Sequence, residues 1–458
     1  MTLSSSPFLP TRALHRSSMP SCMAPCLLAL ILLLLASLAS SAPSGYRAVL
    51  THVDSKGGFT KAELLRRAAH RSRLRTATTT LSGYSTTSSS LETSPRLFSG
   101  QAEYLMELAI GTPPVPFIAL ADTGSDLTWT QCQPCKLCFP QDTPIYDTAA
   151  SSSFSPVACS SATCLPILSR NCSSMPACRY RYAYGDGAYS TGILGTETIT
   201  FGSASTSSSA HHGVAFGCGE DNGGASYNST GTVGLGRGTL SLVAQLGVGK
   251  FSYCLTDFFN SSLRSPFLFG TLSDIIASDA DAQVQSTPLL QSPQNPSRYF
   301  VSLEGISLGD ARLPIPNDTF ALRADGSGGM IVDSGTIFTA LEESAFRVVV
   351  SHVASVLGQP VVNATSLDSP CFPAPGGQQQ LPAMPDMVLH FAGGADMRLH
   401  RDNYMYFSEE DSSFCLTIGG TTPASTSVLG NFQQQNIQML FDITVGQMSF
   451  MPTDCSKL

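Results

Sequence analysis

The chain has 458 residues, of which 42% are hydrophobic and only 13% charged, so it can form two or three folded domains and is not a disordered protein. Its charge is unevenly divided. Residues 1–97 carry 11 Lys and Arg against 3 Asp and Glu, whereas residues 98–458 carry 14 against 30. The acidic second part repels polyanions, which argues against nucleic acid as a partner.

The first 42 residues are predicted to be a signal peptide. Arg12 and Arg16 precede an apolar core at residues 26–36, and small residues with several possible cleavage points follow it. The core is too short to span a bilayer as a helix, and no other segment is long enough. We therefore expect a protein of the secretory pathway, destined for the extracellular space or the vacuole, without membrane contact after signal removal.

Two other destinations stay open. The stretch before the apolar core is rich in Ser and free of acidic residues, which is also typical of a plastid transit peptide. The chain ends in Ser456-Lys457-Leu458, which is a peroxisomal address. Because entry into the secretory pathway comes first, the secretory interpretation is preferred to both.

Residues 43–97 differ from the rest of the chain and are predicted to be a removable prosegment with a linker. The stretch from Thr60 to Thr76 is basic and helix-prone, with Leu64, Leu65 and Ala68 at helical spacing. A Ser/Thr-rich, low-complexity linker follows it. The alternative is a basic arm that is simply solvated.

From Tyr104 onward the pattern predicts a mainly β fold. Short alternating or apolar runs are separated by Gly and Pro at close intervals. One convincing helix, ESAFRVVVSHVASVLG, ends at Gly358. Its apolar face is predicted to pack into the core and consists of Phe346, Val349, Val350, Val353, Val356 and Leu357.

Twelve of the 14 cysteines remain after signal removal, and an even number behind a signal peptide favours disulfides. The spacing of Cys132, Cys135 and Cys138 also suits a metal-binding redox protein, although that requires reducing conditions. N-glycosylation sequons agree with secretion. They begin at Asn171, Asn228, Asn260, Asn317 and Asn363.

Two related motifs form the strongest signal in the sequence. ALADTGSDLTW at residues 119–129 and MIVDSGTIFTA at residues 330–340 each place an aspartate directly after an apolar run. Each is followed by an apolar-Gly element, around Gly234 and around Gly430. A single Asp-Thr-Gly could be an ordinary turn. The same two elements in the same order predict a duplicated lobe with one aspartate in each copy.

These two motifs are accompanied by the stretches YGDGAYSTGILGTET, FGCGEDN, KFSYCL and VLGNFQQQN. Through the motifs and these stretches, the sequence resembles the pepsin-like aspartic proteases, and among them the nepenthesin-type plant enzymes. The resemblance covers about residues 44–458. It implies a bilobal fold of two related β lobes with a cleft between them. The N-terminal lobe would span residues 98–275 with a cysteine-rich insert at 132–178, and the C-terminal lobe 276–458.

The resemblance also implies a catalytic pair, Asp122 and Asp333, for peptide hydrolysis by activated water. Two facing carboxylates that share a proton provide both a base and an acid. Supporting residues are expected at both motifs. Gly124 and Gly335 would allow a tight turn, and Thr123 and Ser334 would link the two loops. The hydroxyls of Ser125 and Thr336 would hold the carboxylates.

The segment YAYGDGAYSTGILGTE resembles the family's flap, a hairpin that closes over substrate. Its tip would be Gly185-Asp186-Gly187, and Tyr184 would be the tyrosine that reaches the indole of Trp129. For Trp129, the single tryptophan, ordinary core packing is an equally good interpretation.

The family's disulfide pairing, carried over, would be Cys132–Cys135, Cys138–Cys218, Cys159–Cys178, Cys164–Cys172, Cys254–Cys455 and Cys371–Cys415. Spacing alone does not select this connectivity. The predicted function is a secreted, monomeric aspartic endopeptidase that cleaves proteins and peptides at acid pH without metal or organic cofactor. The alternative is a catalytically silent relative, a xylanase-inhibitor-like binding protein.

Overall fold

The computed structural model describes residues 45–68, 71, 104–173, 176–184, 187–202, 209–224, 229–275, 283–363 and 369–458. The predicted signal peptide, the Ser/Thr-rich linker with its flanks, Gly185, Asp186 and Asn228 lie outside the described residues. Of Asn363 only the backbone is described.

Strands are the predominant regular secondary structure of the described chain, which confirms the expected mainly β fold. Up to residue 275 they are β1 (Tyr46–His52), β2 (Tyr104–Ile110), β3 (Val115–Asp122), β4 (Trp129–Gln131), β5 (Ser155–Pro156), β6 (Arg179–Ala183), β7 (Tyr189–Phe201), β8 (Ser209–Gly223), β9 (Gly231–Gly234), β10 (Lys250–Cys254) and β11 (Arg264–Phe269).

After residue 282 they are β12 (Gln285–Leu290), β13 (Phe300–Val301), β14 (Leu303–Leu308), β15 (Ala311–Arg312), β16 (Met330–Val332), β17 (Thr339–Leu341), β18 (Val362–Asn363), β19 (Pro370–Pro373), β20 (Met387–Phe391), β21 (Ala395–Leu399), β22 (Met405–Ser408), β23 (Ser413–Leu416), β24 (Ile418–Gly420), β25 (Ser427–Leu429), β26 (Ile437–Asp442) and β27 (Gln447–Pro452).

Helices are few and short among the described residues. They are α1 (residues 61–68), α2 (Leu242–Leu246), α3 (Glu343–Leu357) and α4 (Arg401–Tyr404). The predicted helix is α3, and Gly358 ends it with a φ of 62°. Ala345, Val349 and Val353 are buried, whereas Val356 in the last turn is exposed. Within the described part of the chain, no helix combines the length and the apolar character needed to cross a membrane.

A three-strand unit occurs twice, as the repeated motifs predict. In the first copy β9 pairs in parallel with β3 and antiparallel with β4. In the second copy β25 pairs in parallel with β16 and antiparallel with β17. The aspartate is the last residue of the first strand in one copy and directly follows that strand in the other, so the repeat positions one carboxylate in each half of the chain.

The two halves are joined through the large sheet. Strand β10 pairs antiparallel with β26, from Lys250–Asp442 to Cys254–Gln438. The Cys254–Cys455 disulfide lies beside this junction and closes a loop across 201 positions of sequence. The aromatic rings of Phe251 and Phe441 stack at the same place, with centroids 4.9 Å apart. The halves therefore share one continuous core beneath the two aspartates.

The predicted prosegment contributes a strand to this sheet. Strand β1 pairs antiparallel with β11 on one side and with β2 on the other. Downstream, α1 buries Leu64, Leu65 and Ala68 in a cluster with Phe258 and other apolar residues. The described part of residues 43–97 is thus built into the fold and is not a solvated arm.

The disulfide pairing agrees with the family-based expectation at two bridges and differs at four. Cys254–Cys455 and Cys371–Cys415 are present as expected. Cys132 instead bonds Cys218, because the parallel pairing of β4 with β8 brings the two Cα atoms to 5.3 Å. That leaves Cys135 to bond Cys138 across a three-residue separation.

The cysteine-rich insert shows the second difference, since Cys159 bonds Cys172 and Cys164 bonds Cys178. Strand-like pairing explains why Cys159 and Cys178 do not meet. The Cys159 N–H donates to Pro176, and the Cys178 N–H donates to Val157, so the two cysteines are offset along the ladder. The sulfurs named in the metal-site alternative are likewise all in disulfides here.

Disulfides that close long loops restrict the unfolded chain most. We expect Cys254→Ala/Cys455→Ala to lower the free energy of unfolding by about 4–5 kcal/mol, and Cys135→Ala/Cys138→Ala by only about 1–2 kcal/mol. Urea unfolding of the purified variants measures both values. Equal losses, or peptide mapping that recovers Cys138 linked to Cys218, would contradict this arrangement.

Candidate active site

The two motif aspartates lie at the ends of buried strands. Asp122 is the last residue of β3, opposite Gly234 in the parallel ladder with β9. Asp333 directly follows β16, and its N–H donates to the carbonyl of Leu429 on β25. Each side chain is about 1% exposed. Their burial follows from the apolar runs before them, which are covered on both faces.

Each carboxylate is held in the same way on its two oxygens. At Asp122, Oδ1 accepts from the Gly124 N–H at 2.9 Å and Oδ2 from the Ser125 hydroxyl at 2.5 Å. At Asp333, the Gly335 N–H donates at 2.8 Å and the Thr336 hydroxyl at 2.6 Å. Such hydrogen bonds fix the orientation of a carboxylate and compensate part of its desolvation. The hydroxyls therefore occupy the supporting positions that the sequence suggested.

Gly124 and Gly335 are required for space and not for unusual backbone angles. Neither has a positive φ. A Cβ at Gly335 would lie 2.4 Å from Asp122 Oδ1 and 3.1 Å from Asp333 Oδ1, and one at Gly124 would lie 3.1 Å from both oxygens. Both glycines do lie in turns, as expected, and the close approach of the carboxylates is a further requirement. Both Oδ1 atoms lie around one small volume, which places the carboxylates face to face.

Thr123 and Ser334 link the two loops reciprocally. The Ser334 N–H donates to the Thr123 hydroxyl at 2.9 Å, and the Thr123 N–H donates to the Ser334 hydroxyl at 3.2 Å. The Ser334 hydroxyl in turn donates to the carbonyl of Ala121 at 3.2 Å. These buried contacts cross from one half of the chain to the other and set the spacing of the two carboxylates.

Comparison with known proteins supports this geometry. Residues 104–271 match the xylanase inhibitor N-terminal family, and residues 298–452 the xylanase inhibitor C-terminal family. The chain is 43% identical to aspartic proteinase nepenthesin-1 of Nepenthes gracilis, over 90% of this chain and 91% of that protein. It is 40% identical to nepenthesin-2 of the same plant, over 90% of each.

The chain belongs to the nepenthesin-type aspartic proteases. The crystal structure of edgp shares the fold, with a TM-score of 0.65 at 18% identity, covering 91% of this chain and 97% of edgp. The expected aspartic-type endopeptidase is thereby confirmed at the level of the family. The binding-protein alternative is not favoured, because curated relatives down to 33% identity are named as proteases.

Strands β6 and β7 form the antiparallel hairpin that the sequence predicts to be the flap, as far as the structure describes it. Beyond β6, the Tyr184 N–H donates to the carbonyl of Ala188 at 2.8 Å, and the Gly187 N–H donates to the carbonyl of Tyr184 at 3.1 Å. Gly187 has a φ of 86°, which glycine adopts without the strain that a side chain would introduce. Gly185 and Asp186 at the tip lie outside the described residues.

Trp129 both packs in the core and contacts Tyr184, so the two interpretations of this residue are compatible. Its ring is 4% exposed within a cluster that includes Leu127 and Leu194, so it is a core residue. Its Nε1–H also donates to the Tyr184 hydroxyl at 2.6 Å. Burial raises the pKa of Tyr184 well above its ordinary value, helped by nearby negative charge, so this hydroxyl stays protonated.

Asp126 is a supporting residue that the motif comparison missed, although it lies within the quoted ADTGSD. Its carboxylate accepts from the Gly238 N–H at 2.9 Å and from the Ser297 hydroxyl. Burial raises the pKa of Asp126, and the hydrogen bond from Ser297 acts in the opposite direction. The residue joins the Asp122 loop to the second half of the chain. Nothing in the sequence around Ser297 indicates this contact.

The hydrogen bond between Trp129 and Tyr184 makes a double-mutant cycle informative. We expect Trp129→Phe and Tyr184→Phe each to lower kcat/KM by about 5–20-fold, because either change removes the contact that places the flap. The double variant should be little worse than the weaker single variant. Fully multiplicative losses in kcat/KM, measured on one peptide substrate, would show that the two residues act independently.

Proposed function

We propose that the enzyme cleaves peptide bonds within protein chains at acid pH, with Asp122 and Asp333 sharing one proton. The observation that carries the proposal is the buried pair of carboxylates whose Oδ1 atoms surround one small volume. Like charges this close resist ionising together, so one proton is retained by the pair over a range of acid pH. The pair then contains one base and one acid.

The reaction follows from that shared proton. The ionised carboxylate takes a proton from a water molecule, whose oxygen attacks the carbonyl carbon of the substrate. The protonated carboxyl gives its proton to the carbonyl oxygen, which forms a neutral tetrahedral diol. The C–N bond then breaks as the diol returns one proton to the pair and the nitrogen receives one, which regenerates the singly protonated dyad.

The surrounding residues keep this pair ready for reaction. Hydrogen bonds from Gly124, Ser125, Gly335 and Thr336 hold both carboxylates in place without substrate, so little reorganisation is needed. Tyr184, protonated and fixed by Trp129, would close over an extended peptide and exclude water. The substrates are proteins and peptides, and we propose that the enzyme acts as a monomer.

We further propose the domain plan expected from the sequence, with a signal at 1–42, a prosegment and linker at 43–97, and lobes at 98–275 and 276–458. Strand β1 within the sheet and the buried apolar face of α1 support a prosegment that folds with the enzyme. Exposed ion pairs between Lys56 and Asp142 and between Arg66 and Glu410 add charge attraction to the acidic body.

Secretion is proposed on two supports, the signal-like N-terminus and the six disulfides. The extracellular space or the vacuole fits both. Asn171, Asn260 and Asn317 are exposed, so carrying a glycan there would not disturb the core. Asn228 and Asn363 remain sequence-based predictions.

The dyad is tested by Asp122→Asn and Asp333→Asn in the processed enzyme. We expect each change to lower the rate of hydrolysis of denatured globin in acid by at least about 10²–10⁴-fold, and the double variant to be little worse, because the pair acts as one unit. Pepstatin should inhibit the unchanged enzyme. Asp325→Asn, at an exposed carboxylate, is the matched control. A folded Asp122→Asn enzyme with full activity would contradict the mechanism.

The prosegment is tested at Asp54. This buried carboxylate accepts from Arg67 at 2.6 Å and from buried Arg71 at 3.0 Å. Breaking a buried ion pair leaves an uncompensated charge, so Asp54→Asn should speed acid-triggered removal of residues 43–97 by about tenfold or more. N-terminal sequencing and activity after a pH drop follow that removal.

Lys56→Gln is the control for the Asp54 experiment. It breaks an ion pair whose side chains are 76% and 50% exposed, and such pairs contribute about 0–1 kcal/mol. The rate of prosegment removal should therefore change little in this variant. A precursor that is fully active at neutral pH with residues 43–97 attached would refute the prosegment proposal itself.

A further inference from the structure

Arg298 is a buried cation next to the catalytic pair. It immediately precedes the strand-like segment that pairs antiparallel with β16, in which the Val332 N–H donates to the carbonyl of Tyr299 at 3.0 Å. Phe300 is opposite Ile331 in the same ladder. Continuing this register places Arg298 opposite Asp333. Residues directly opposite in an antiparallel ladder project their side chains to the same side.

The backbone on both sides of Arg298 is anchored to the half of the chain that carries Asp122. The carbonyl of Ser297 accepts from the Arg237 N–H at 2.9 Å, and the Ser297 hydroxyl donates to Asp126. On the other side, the Tyr299 hydroxyl donates to the carbonyl of Leu235 at 2.8 Å. Arg298 is therefore held at the junction of the two halves, and it is only 2% exposed.

The guanidinium remains charged over the working range of an acid protease. Burial lowers the pKa of Arg298 to about 10, while the nearby carboxylates of Asp333 and Asp122 act in the opposite direction. The Tyr182 hydroxyl is the other titratable group that faces it. Water does not screen a charge at this depth as it does at the surface, so the field of the guanidinium acts on the dyad.

Two more charged groups lie behind Arg298. The Asp126 carboxylate accepts hydrogen bonds from the Ser297 hydroxyl and the Gly238 N–H. Arg237 donates from Nη1 to the carbonyl of Leu290 at 2.6 Å. Burial lowers the pKa of Arg237, and only Tyr299 opposes that effect. Arg237 thus resembles Arg298 in chemistry, but its guanidinium is held by the Leu290 carbonyl and lies over the Tyr299 ring, 6.0 Å from the centroid.

We propose that Arg298 is a positioning residue that shifts the working range of the protease to lower pH by favouring the ionised forms of the dyad. The proposal rests on the proposed function of Asp122 and Asp333. The active dyad carries one negative charge, and a fixed cation stabilises that charge relative to the neutral pair. It also stabilises the doubly ionised, inactive pair, so both limbs of the pH profile move downward together.

The test compares the pH dependence of kcat/KM in the processed enzyme and three variants, on one peptide substrate. Arg298→Met removes the charge with a side chain of similar length, and Arg298→Gln removes it but keeps hydrogen-bond donors. We expect both limbs of the profile to move up by about one pH unit in each. The matched control Arg237→Met should leave both limbs in place.

The outcomes separate this inference from the proposed function. If the enzyme without any substitution does not hydrolyse proteins in acid, the proposed function itself is refuted. An active enzyme whose folded Arg298→Met and Arg298→Gln variants keep the original limbs, with or without a lower kcat, would overturn the inference. Thermal unfolding establishes which variants are folded, and the Gln variant decides the question if the Met variant does not fold. A shift in Arg237→Met equal to that in Arg298→Met would also overturn the inference.

Discussion

Asp122 and Asp333 are each about 1% exposed, and burying a carboxylate without partners costs more free energy than a whole fold provides. The surrounding residues offset that free-energy cost with hydrogen bonds. Two N–H groups and two hydroxyls bind the carboxylates, and the glycines that supply the N–H groups leave room for the facing oxygens. The same burial that constrains stability is what the proposed shared proton, and with it the proposed chemistry, depends on.

The spacing of the pair depends on contacts between distant parts of the chain. Thr123 and Ser334 bind each other across the two halves, and β10 joins β26 beneath them. Strand β1, from the proposed prosegment, lies in the same sheet between β2 and β11. Residues of the proposed prosegment are therefore part of the sheet that also contains β3, the strand that ends at Asp122. Its removal leaves the edges of β2 and β11 to be paired in another way.

The fold and the printed descriptions of the matching family models do not by themselves distinguish a protease from a binding protein. The matching family descriptions refer to xylanase inhibitors, while curated relatives at 43% and 40% identity are nepenthesins. One fold can support either function, so the decision depends on the site. In this chain both aspartates, their hydrogen-bond donors and the Trp129–Tyr184 contact are all present, which is a complete set for hydrolysis.

The sequence by itself determined the dyad, the duplicated unit and helix α3, because each is a local pattern of apolar residues, turn residues and one functional side chain. It did not determine the partners of Cys132 or Cys159, since strand register selects among cysteines that have similar spacing. Nor did it indicate Ser297, which reaches Asp126 only when the two halves pack together, or Arg298, which the ladder between β13 and β16 places opposite Asp333. The turns at Gly124 and Gly335 are predictable from the sequence, whereas the close approach of the two carboxylates that also requires these glycines is not. Tertiary structure decided these points because they depend on distances between residues far apart in the chain, which no local pattern encodes.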